Sequence, residues 1–226
     1  MAHRLNYQSG DLFPREIDIE VCLKTLKLFQ KAEGDVNSVV WDASLVLAKY
    51  LETICTFKPD FLSGLKVLEL GSGLGVVGLT AATLGAQVTL TDLPEALHLL
   101  RLNINENKSK IASMGGYVIA EALVWGDKNS DILNEEFDMV LLADCVYHEE
   151  TVDPLIKTLQ YLNNSLTKNP VIYLTQEMRD ADKQKKLWKY FYEKLNDIFY
   201  VEKIPEDQQH SSYSSPDIIL LKVKKK

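Results

Sequence analysis

The stretch Lys66-Val-Leu-Glu-Leu-Gly-Ser-Gly-Leu-Gly75, with a second apolar run at 87–91 that ends at Asp92, decides the fold. Residues 67–70 predict a short buried strand, and residues 76–84 predict a helix. The glycines between them predict a sharp turn where the backbone can approach a ligand. A carboxylate at the end of the next strand can accept hydrogen bonds from both hydroxyls of a ribose. This order of elements indicates a site for the adenosine half of a cofactor.

The glycine spacing alone does not identify that cofactor. Gly73-Leu-Gly-Val-Val-Gly78 also satisfies the dinucleotide fingerprint G-x-G-x-x-G, with Asp92 about 20 residues further on. Glu69 discriminates between the candidates, because a pyrophosphate favours helix-terminal N–H groups without a carboxylate, whereas the ammonium group of an amino-acid cofactor favours a nearby acid. Glu69 therefore favours S-adenosylmethionine over NAD. A surface acid at a strand end is the alternative interpretation.

The rest of the chain alternates between predicted strands and helices. We predict helices at 41–53, 94–107, 151–163 and 181–196, and strands at 117–123, 137–143 and 171–175. Two further strands, 199–204 and 217–223, are joined by a polar segment without room for a crossover helix, so we expect them to pair antiparallel. The alternation Ile17-Asp-Ile-Glu-Val21 suggests a hairpin within an N-terminal extension, residues 1–37, ahead of one domain, residues 38–226.

Composition excludes several classes of protein. A chain of 226 residues, 46% hydrophobic and 25% charged, is typical of one soluble domain. No apolar run approaches the roughly 18 to 20 residues of a membrane span, and the N-terminus lacks the apolar core of a secretory signal. We therefore expect a cytoplasmic protein, with the nucleus as a further location and no membrane partner. The net charge of −7 argues against nucleic-acid binding, and the spacing of the three cysteines indicates neither a metal site nor a disulfide framework.

Several motifs resemble one enzyme family. Glu69-Leu-Gly-Ser-Gly73 resembles motif I of the seven-strand class I methyltransferases, and Asp144-Cys-Val-Tyr147 resembles the D-x-x-Y post-motif of their protein-lysine branch. Val40-Trp-Asp-Ala43, the segments 81–86 and 103–105, and Glu202-Lys-Ile-Pro205 are similar to the methyltransferase-like 21 family. The resemblance implies an α/β, Rossmann-like sheet of order 3-2-1-4-5-7-6 whose last strand is antiparallel.

The resemblance also implies a function. It implies a monomeric enzyme that transfers methyl groups from S-adenosyl-L-methionine to a lysine side chain, with the valosin-containing AAA ATPase as the protein substrate. The alternatives are a lysine of another protein, such as an Hsp70 chaperone or an elongation factor, or a small-molecule substrate. A NAD-binding protein and a catalytically silent binding module also remain as alternatives.

The candidate site residues lie where the predicted strands end, since doubly wound sheets bind ligands at the carboxyl ends of their strands. The resemblance implies that Asp144 holds the incoming lysine and takes part in its deprotonation, and that Tyr147 forms a wall of the channel. It places Trp125 near the adenine and Trp41 near the methionine portion of the cofactor. The predicted cofactor-binding residues are Trp41, Glu69, Gly71, Ser72, Gly73, Asp92, Trp125 and Ala143.

One segment departs from the family pattern. Close relatives carry an aromatic residue before an E-x-R element, whereas this chain has Thr175-Gln-Glu-Met-Arg179. Glu177 and Arg179 match the element and are predicted to lie at the substrate rim. Gln176 replaces the aromatic residue. An ordinary surface ion pair between Glu177 and Arg179 is the alternative interpretation.

Overall fold

The computed structural model describes residues 12–33, 36–164 and 168–226. Parts of the predicted N-terminal extension, residues 1–11 and 34–35, lie outside the described residues. Strands β1 (Leu12–Ile19) and β2 (Lys24–Lys31) form an antiparallel hairpin, and helix α1 (Asp42–Phe57) leads into the main sheet.

The main sheet contains seven strands in the order β5-β4-β3-β6-β7-β9-β8. Across the sheet, the five strands β5, β4, β3, β6 and β7 pair parallel with their neighbours. Strand β9 pairs antiparallel with both β7 and β8. When β3 is counted as strand 1 of this sheet, the order is 3-2-1-4-5-7-6. The predicted order with a reversed last strand is therefore confirmed. The strands are β3 (Lys66–Leu70), β4 (Gln87–Asp92), β5 (Tyr117–Ala122), β6 (Met139–Ala143), β7 (Val171–Glu177), β8 (Phe199–Lys203) and β9 (Ile218–Lys225).

Helices cover both faces of this sheet. Helices α1, α2 (Val76–Thr83) and α3 (Leu97–Ser113) share one hydrophobic core with the hairpin. Helices α4 (Glu149–Leu162) and α5 (Asp182–Ile198) form a second core on the opposite face. Alternate residues of the central strands enter opposite cores, as Met139 and Val140 do, which explains why these strands read as continuous apolar runs. In the described part of the chain, no helix combines the length and apolar character needed to cross a membrane.

Helix α3 differs most from its predicted bounds of 94–107. It begins at Leu97, after a turn in which Ala96 N–H donates to the Leu93 carbonyl, and it continues to Ser113. The polar run after Asn107 hides this continuation in the sequence, but Ile111 is buried and Lys110 donates to the carbonyl of Thr25 in the hairpin. Tertiary packing therefore extends the helix past the end of its apolar pattern.

Two buried asparagines of α3 bind the free edge of β2 as a neighbouring strand would. Asn103 accepts from Phe29 N–H at 2.7 Å and donates to its carbonyl, and Asn107 makes the same pair of bonds with Lys27. Residues four apart on a helix rise by about 6 Å, close to the roughly 6.6 Å between alternate strand residues. The two spacings match, so α3 satisfies the edge that the hairpin would otherwise expose.

A buried ion pair joins the hairpin to α1. Lys49, 2% exposed, contacts Glu52 at 2.8 Å and donates to the Asp18 carbonyl at 2.7 Å. Glu52 accepts in turn from Val21 N–H at 3.0 Å. The charges on α1 thus satisfy backbone groups at the end of β1 and in the hairpin turn.

Candidate active site

A cavity of about 710 Å³ opens at the carboxyl ends of β3, β4 and β6. This size suits a single small-molecule ligand. Most of the residues predicted from the sequence line it, namely Trp41, Gly71, Gly73, Asp92, Trp125, Ala143, Asp144, Tyr147 and Arg179. Glu69, Ser72 and Glu177 do not belong to its lining.

The glycine turn after β3 forms the floor of this cavity. Gly71 has a φ of +65°, and a Cβ there would lie 3.0 Å from both the Trp125 ring and the Cys145 sulfur. Gly73 N–H donates to Asp92 Oδ2 at 2.7 Å, and Leu93 N–H donates to Asp92 Oδ1 at 2.7 Å. Burial raises the pKa of Asp92, although these N–H donors oppose the shift. The carboxylate is thereby fixed in one orientation at the cavity wall.

Ser72 connects the two strands behind that floor. Its hydroxyl accepts from Thr91 N–H at 3.1 Å, and its own N–H donates to the Thr91 carbonyl at 2.9 Å. Ser72 therefore holds the turn in place without facing the cavity.

The Glu69 carboxylate forms a hydrogen bond within the chain. We expected its carboxylate beside the ammonium group of the cofactor, and in the structure Oε2 accepts from Gly78 N–H at 2.9 Å, near the beginning of α2. Gly78 permits this approach, since a Cβ there would lie 2.6 Å from that oxygen and 2.1 Å from Leu90. Glu69 is 2% exposed, and burial raises its pKa to about 8. This hydrogen bond joins the beginning of α2 to β3.

The hydrogen bonds of the glycine turn also argue against a dinucleotide, whereas the sequence argument rested on the charge of Glu69. Rossmann proteins bind a pyrophosphate with the free N–H groups of the glycine turn and the helix N-terminus. Here Gly73 N–H binds Asp92, Gly75 N–H binds the Ser72 carbonyl and Gly78 N–H binds Glu69. Three of the N–H groups in and just after the glycine turn are therefore already satisfied within the chain, which leaves fewer donors for a pyrophosphate.

Asp144 follows β6 and is 8% exposed. Its φ of +56° lies in the left-handed region, which typically costs a residue with a side chain about 1 to 2 kcal/mol. Arg179 Nη2 contacts its Oδ2 at 2.5 Å and also contacts Glu177 at 2.9 Å. The guanidinium lies 5.3 Å from the centre of the Trp41 ring. A carboxylate, a cation and an aromatic ring thus meet at the cavity mouth.

Tyr147 lies beside this cluster and is 36% exposed. Its ring centre is 4.6 Å from that of His148, another lining residue. Burial, together with nearby acidic groups, raises the pKa of Tyr147 to about 12. The phenol therefore keeps its proton at neutral pH.

The structure separates Gln176 from its two neighbours in the segment and adds lining residues that the sequence did not single out. Gln176 does not lie at the rim, because its side chain is fully buried, whereas Glu177 and Arg179 are about one-third exposed. The added lining residues are Val36, Asn37, Leu93, Glu95, Leu123, Val124, Cys145, His148, Thr151 and Pro154. The position of Leu93 and Glu95 just after a strand-end acid was the available signal for those two.

Comparison with known proteins agrees with this geometry. A model of the lysine methyltransferase family matches residues 22–196. The chain belongs to the lysine methyltransferase family. The match begins inside the predicted N-terminal extension, in the turn between β1 and β2.

Two curated relatives illustrate the similarity. The protein N-lysine methyltransferase METTL21A of Danio rerio is 38% identical over 175 residues, which are 77% of this chain and 73% of that protein. The EEF1A lysine methyltransferase 3 of Xenopus tropicalis is 39% identical over 172 residues, 75% of this chain and 71% of that protein. Membership of the methyltransferase-like 21 group and the activity of a protein-lysine methyltransferase are thereby confirmed.

Solved structures support the fold. The methyltransferase SMU.776, complexed with S-adenosylhomocysteine, has a TM-score of 0.56 at 14% identity and covers 99% of this chain and 58% of its own. The T. Thermophilus 16S rRNA methyltransferase RsmC has a TM-score of 0.58 at 17% identity and covers 98% of this chain and 52% of its own. The class I methyltransferase fold is therefore confirmed.

The cofactor of this enzyme class is S-adenosylmethionine, and the cavity fits it. Gly71 leaves room that a side chain would fill, and Asp92 places a fixed carboxylate at the end of β4, where a ribose is bound in such sheets. Trp125 offers an aromatic surface against the same turn.

Proposed function

We propose that this enzyme methylates a lysine side chain of the valosin-containing AAA ATPase. The observation that supports lysine as the acceptor is the Asp144 carboxylate, which is buried at the cavity wall and already holds the cationic group of Arg179 at 2.5 Å. A carboxylate that binds a guanidinium in this position suits an incoming ammonium as well.

The lysine must lose a proton before it reacts. S-adenosylmethionine supplies, when bound, a methyl group that an uncharged amine accepts. A free lysine has a pKa near 10.4 and arrives as the ammonium. In this proposal Asp144 binds the arriving ammonium, a contact that by itself favours the charged form. Removal of the amine from bulk water as it enters the cavity disfavours that form, and the proton passes to solvent.

The neighbouring side chains position the amine and the cofactor. Tyr147 contributes a neutral phenol whose hydroxyl can hydrogen-bond the amine and whose ring narrows the channel. Asp92 would bind the ribose, Trp125 would lie beside the adenine, and Trp41 would contact the methionine portion. Alignment of this kind can contribute up to about 7 to 11 kcal/mol to lowering the barrier.

The choice of target rests on sequence resemblance and charge. Ala143-Asp-Cys-Val-Tyr147 and Glu202-Lys-Ile-Pro205 resemble the branch of the family that acts on the ATPase, and a net charge of −7 suits a lysine-bearing protein surface. An elongation factor is the second candidate, because the relative from Xenopus tropicalis is named for EEF1A. We also propose action in the cytoplasm or nucleus, and a division into an extension, residues 1–37, and a methyltransferase domain, residues 38–226.

Labelling in cell extract tests both the reaction and the target. The enzyme is incubated with radiolabelled S-adenosylmethionine and an extract from cells that lack this enzyme. We expect one labelled band, at the ATPase, and no band with Asp144→Asn, whose amide keeps the shape of the side chain and loses its charge. Binding of S-adenosylhomocysteine by the variant should be unchanged.

The outcomes separate the two parts of the proposal. Label on an elongation factor or a chaperone would refute the target and leave the reaction intact. A wild-type enzyme that labels only small molecules would refute lysine methylation itself.

A further inference from the structure

Gln176 contacts the loop that carries Asp144 at two points. It is the next-to-last residue of β7, its side chain is fully buried, and it does not line the cavity. Its Oε1 accepts from Val146 N–H at 3.0 Å, and its Nε2 donates to Asp144 Oδ1 at 2.6 Å. One amide therefore joins the backbone of the loop to the carboxylate that faces the substrate.

A side-chain amide offers both the donor and the acceptor that this arrangement uses, and it does so at every pH. A carboxylate can supply the acceptor but, when ionised, no donor, and a phenylalanine would supply neither. Asp144 is one of two non-glycine residues in the described chain with a positive φ, so its backbone conformation depends on such external contacts. The replacement of the family's aromatic residue by Gln176 thus has a direct structural consequence.

The contacts divide the two oxygens of the Asp144 carboxylate between the protein and the cavity. Oδ1 receives Gln176 Nε2, Glu177 N–H at 3.3 Å and Arg179 Nη1 at 3.5 Å. Among the described residues, Oδ2 receives only Arg179 Nη2, from a side chain that is one-third exposed. Oδ2 is therefore the oxygen that an ammonium can reach.

We propose that Gln176 is a positioning residue that fixes the Asp144 carboxylate with Oδ2 toward the substrate lysine. This inference rests on the proposed function, because it assigns a supporting role to a residue behind the lysine-binding carboxylate. Gln176 touches neither substrate nor cofactor. Its loss should lower turnover without changing the affinity for the cofactor.

The first test replaces Gln176 by methionine, which has similar length and no hydrogen-bonding groups of comparable strength. With the purified ATPase as the protein substrate, we expect kcat to fall about 10- to 100-fold through misplacement of the carboxylate. The dissociation constant for S-adenosylhomocysteine, measured by calorimetry, should stay unchanged. Unchanged kcat in the variant would overturn the proposal.

The matched control is Gln209→Met. Gln209 is also a buried amide that donates to a backbone carbonyl, that of Ile204 at 2.9 Å, and it does not line the cavity. A similar fall in kcat in this control would show that any lost buried amide lowers turnover, and it would refute a specific role for Gln176.

Gln176→Glu provides a readout that a purely structural role does not predict. The glutamate keeps the acceptor for Val146 N–H but can donate to Asp144 only when protonated. Burial and the neighbouring carboxylates of Asp144 and Glu177 should raise its pKa, and Arg179 should oppose them. We expect the kcat of this variant, relative to the wild type, to fall as pH rises from about 6 to 8. A constant ratio would contradict the proposal.

These results remain distinguishable from failure of the proposed function. If the wild-type enzyme labels no protein lysine in extract, the reaction assignment fails before any variant is compared. If the wild type labels a protein other than the ATPase, the same comparison is made with that protein.

Discussion

The protonation of Glu69 is coupled to folding. Burial raises its pKa to about 8 from an ordinary 4.5, so between these values the folded state holds a proton that the unfolded state has released. The stability linked to this group is fully present below about pH 4.5 and is lost as pH rises toward 8. Well above pH 8 both the folded and the unfolded state have released this proton, so Glu69 makes no further contribution to the pH dependence of stability.

We predict that Glu69→Gln removes this pH dependence. The amide oxygen can still accept from Gly78 N–H, but the side chain does not titrate. Urea unfolding between pH 5 and 8 should show a wild-type stability that declines relative to the variant, by up to about 1.4 kcal/mol per pH unit. Parallel stability curves for the two proteins would disprove the assignment of the shift to Glu69.

At the scale of secondary-structure elements, the buried pair of Lys49 and Glu52 determines how the hairpin is attached to α1. Lys49→Met leaves the Glu52 carboxylate buried without its cation. Breaking one partner of a buried pair typically costs about 3 to 5 kcal/mol. We expect the double variant Lys49→Met/Glu52→Gln to be more stable than the single one, since a glutamine can accept from Val21 N–H without a charge.

Urea denaturation of the single and double variants measures this effect. The control is Lys189→Met, which breaks an exposed pair with Glu193 on α5, 77% and 64% exposed. Such exposed pairs contribute at most about 1 kcal/mol. Equal losses in the free energy of unfolding for Lys49→Met and Lys189→Met would show that the buried pair contributes no more than the exposed one.

At the scale of the whole molecule, cofactor binding should stabilise the fold and also identify the cofactor. At 100 times its dissociation constant, a ligand that binds only the folded state stabilises it by about 2.7 kcal/mol. We expect S-adenosylhomocysteine to raise the melting temperature, and NAD at the same concentration to leave it unchanged. An equal rise with NAD would contradict the assignment.

Asp92→Ala is the matching variant for this measurement. Loss of hydrogen bonds to a charged acceptor should weaken binding of S-adenosylhomocysteine by about 1.5 to 3 kcal/mol, and the thermal shift should shrink accordingly. Melting temperatures must be compared within each protein, because the variant also frees Gly73 N–H and Leu93 N–H.

Local patterns in the chain predicted the strands and the strand-end acids, and the family resemblance implied the order of the sheet. Continuous apolar runs predicted the strands buried on both faces, and the acids that end them, Asp92 and Asp144, lie at the cavity because parallel strands end at the same edge. The antiparallel last pair followed from a polar connection too short for a crossover helix. These features depend on neighbours in sequence, so one chain suffices to predict them.

The tertiary structure alone decided which partner each polar side chain takes. Glu69 binds Gly78, Gln176 binds Asp144 across 32 residues, and Asn103 binds Phe29 across 74. A buried polar group must be satisfied by whatever donor or acceptor the packing brings within about 3 Å, and residue spacing carries no record of that neighbour. For this reason the strand-end carboxylates were recognised as a site, whereas the side chains that orient them were not.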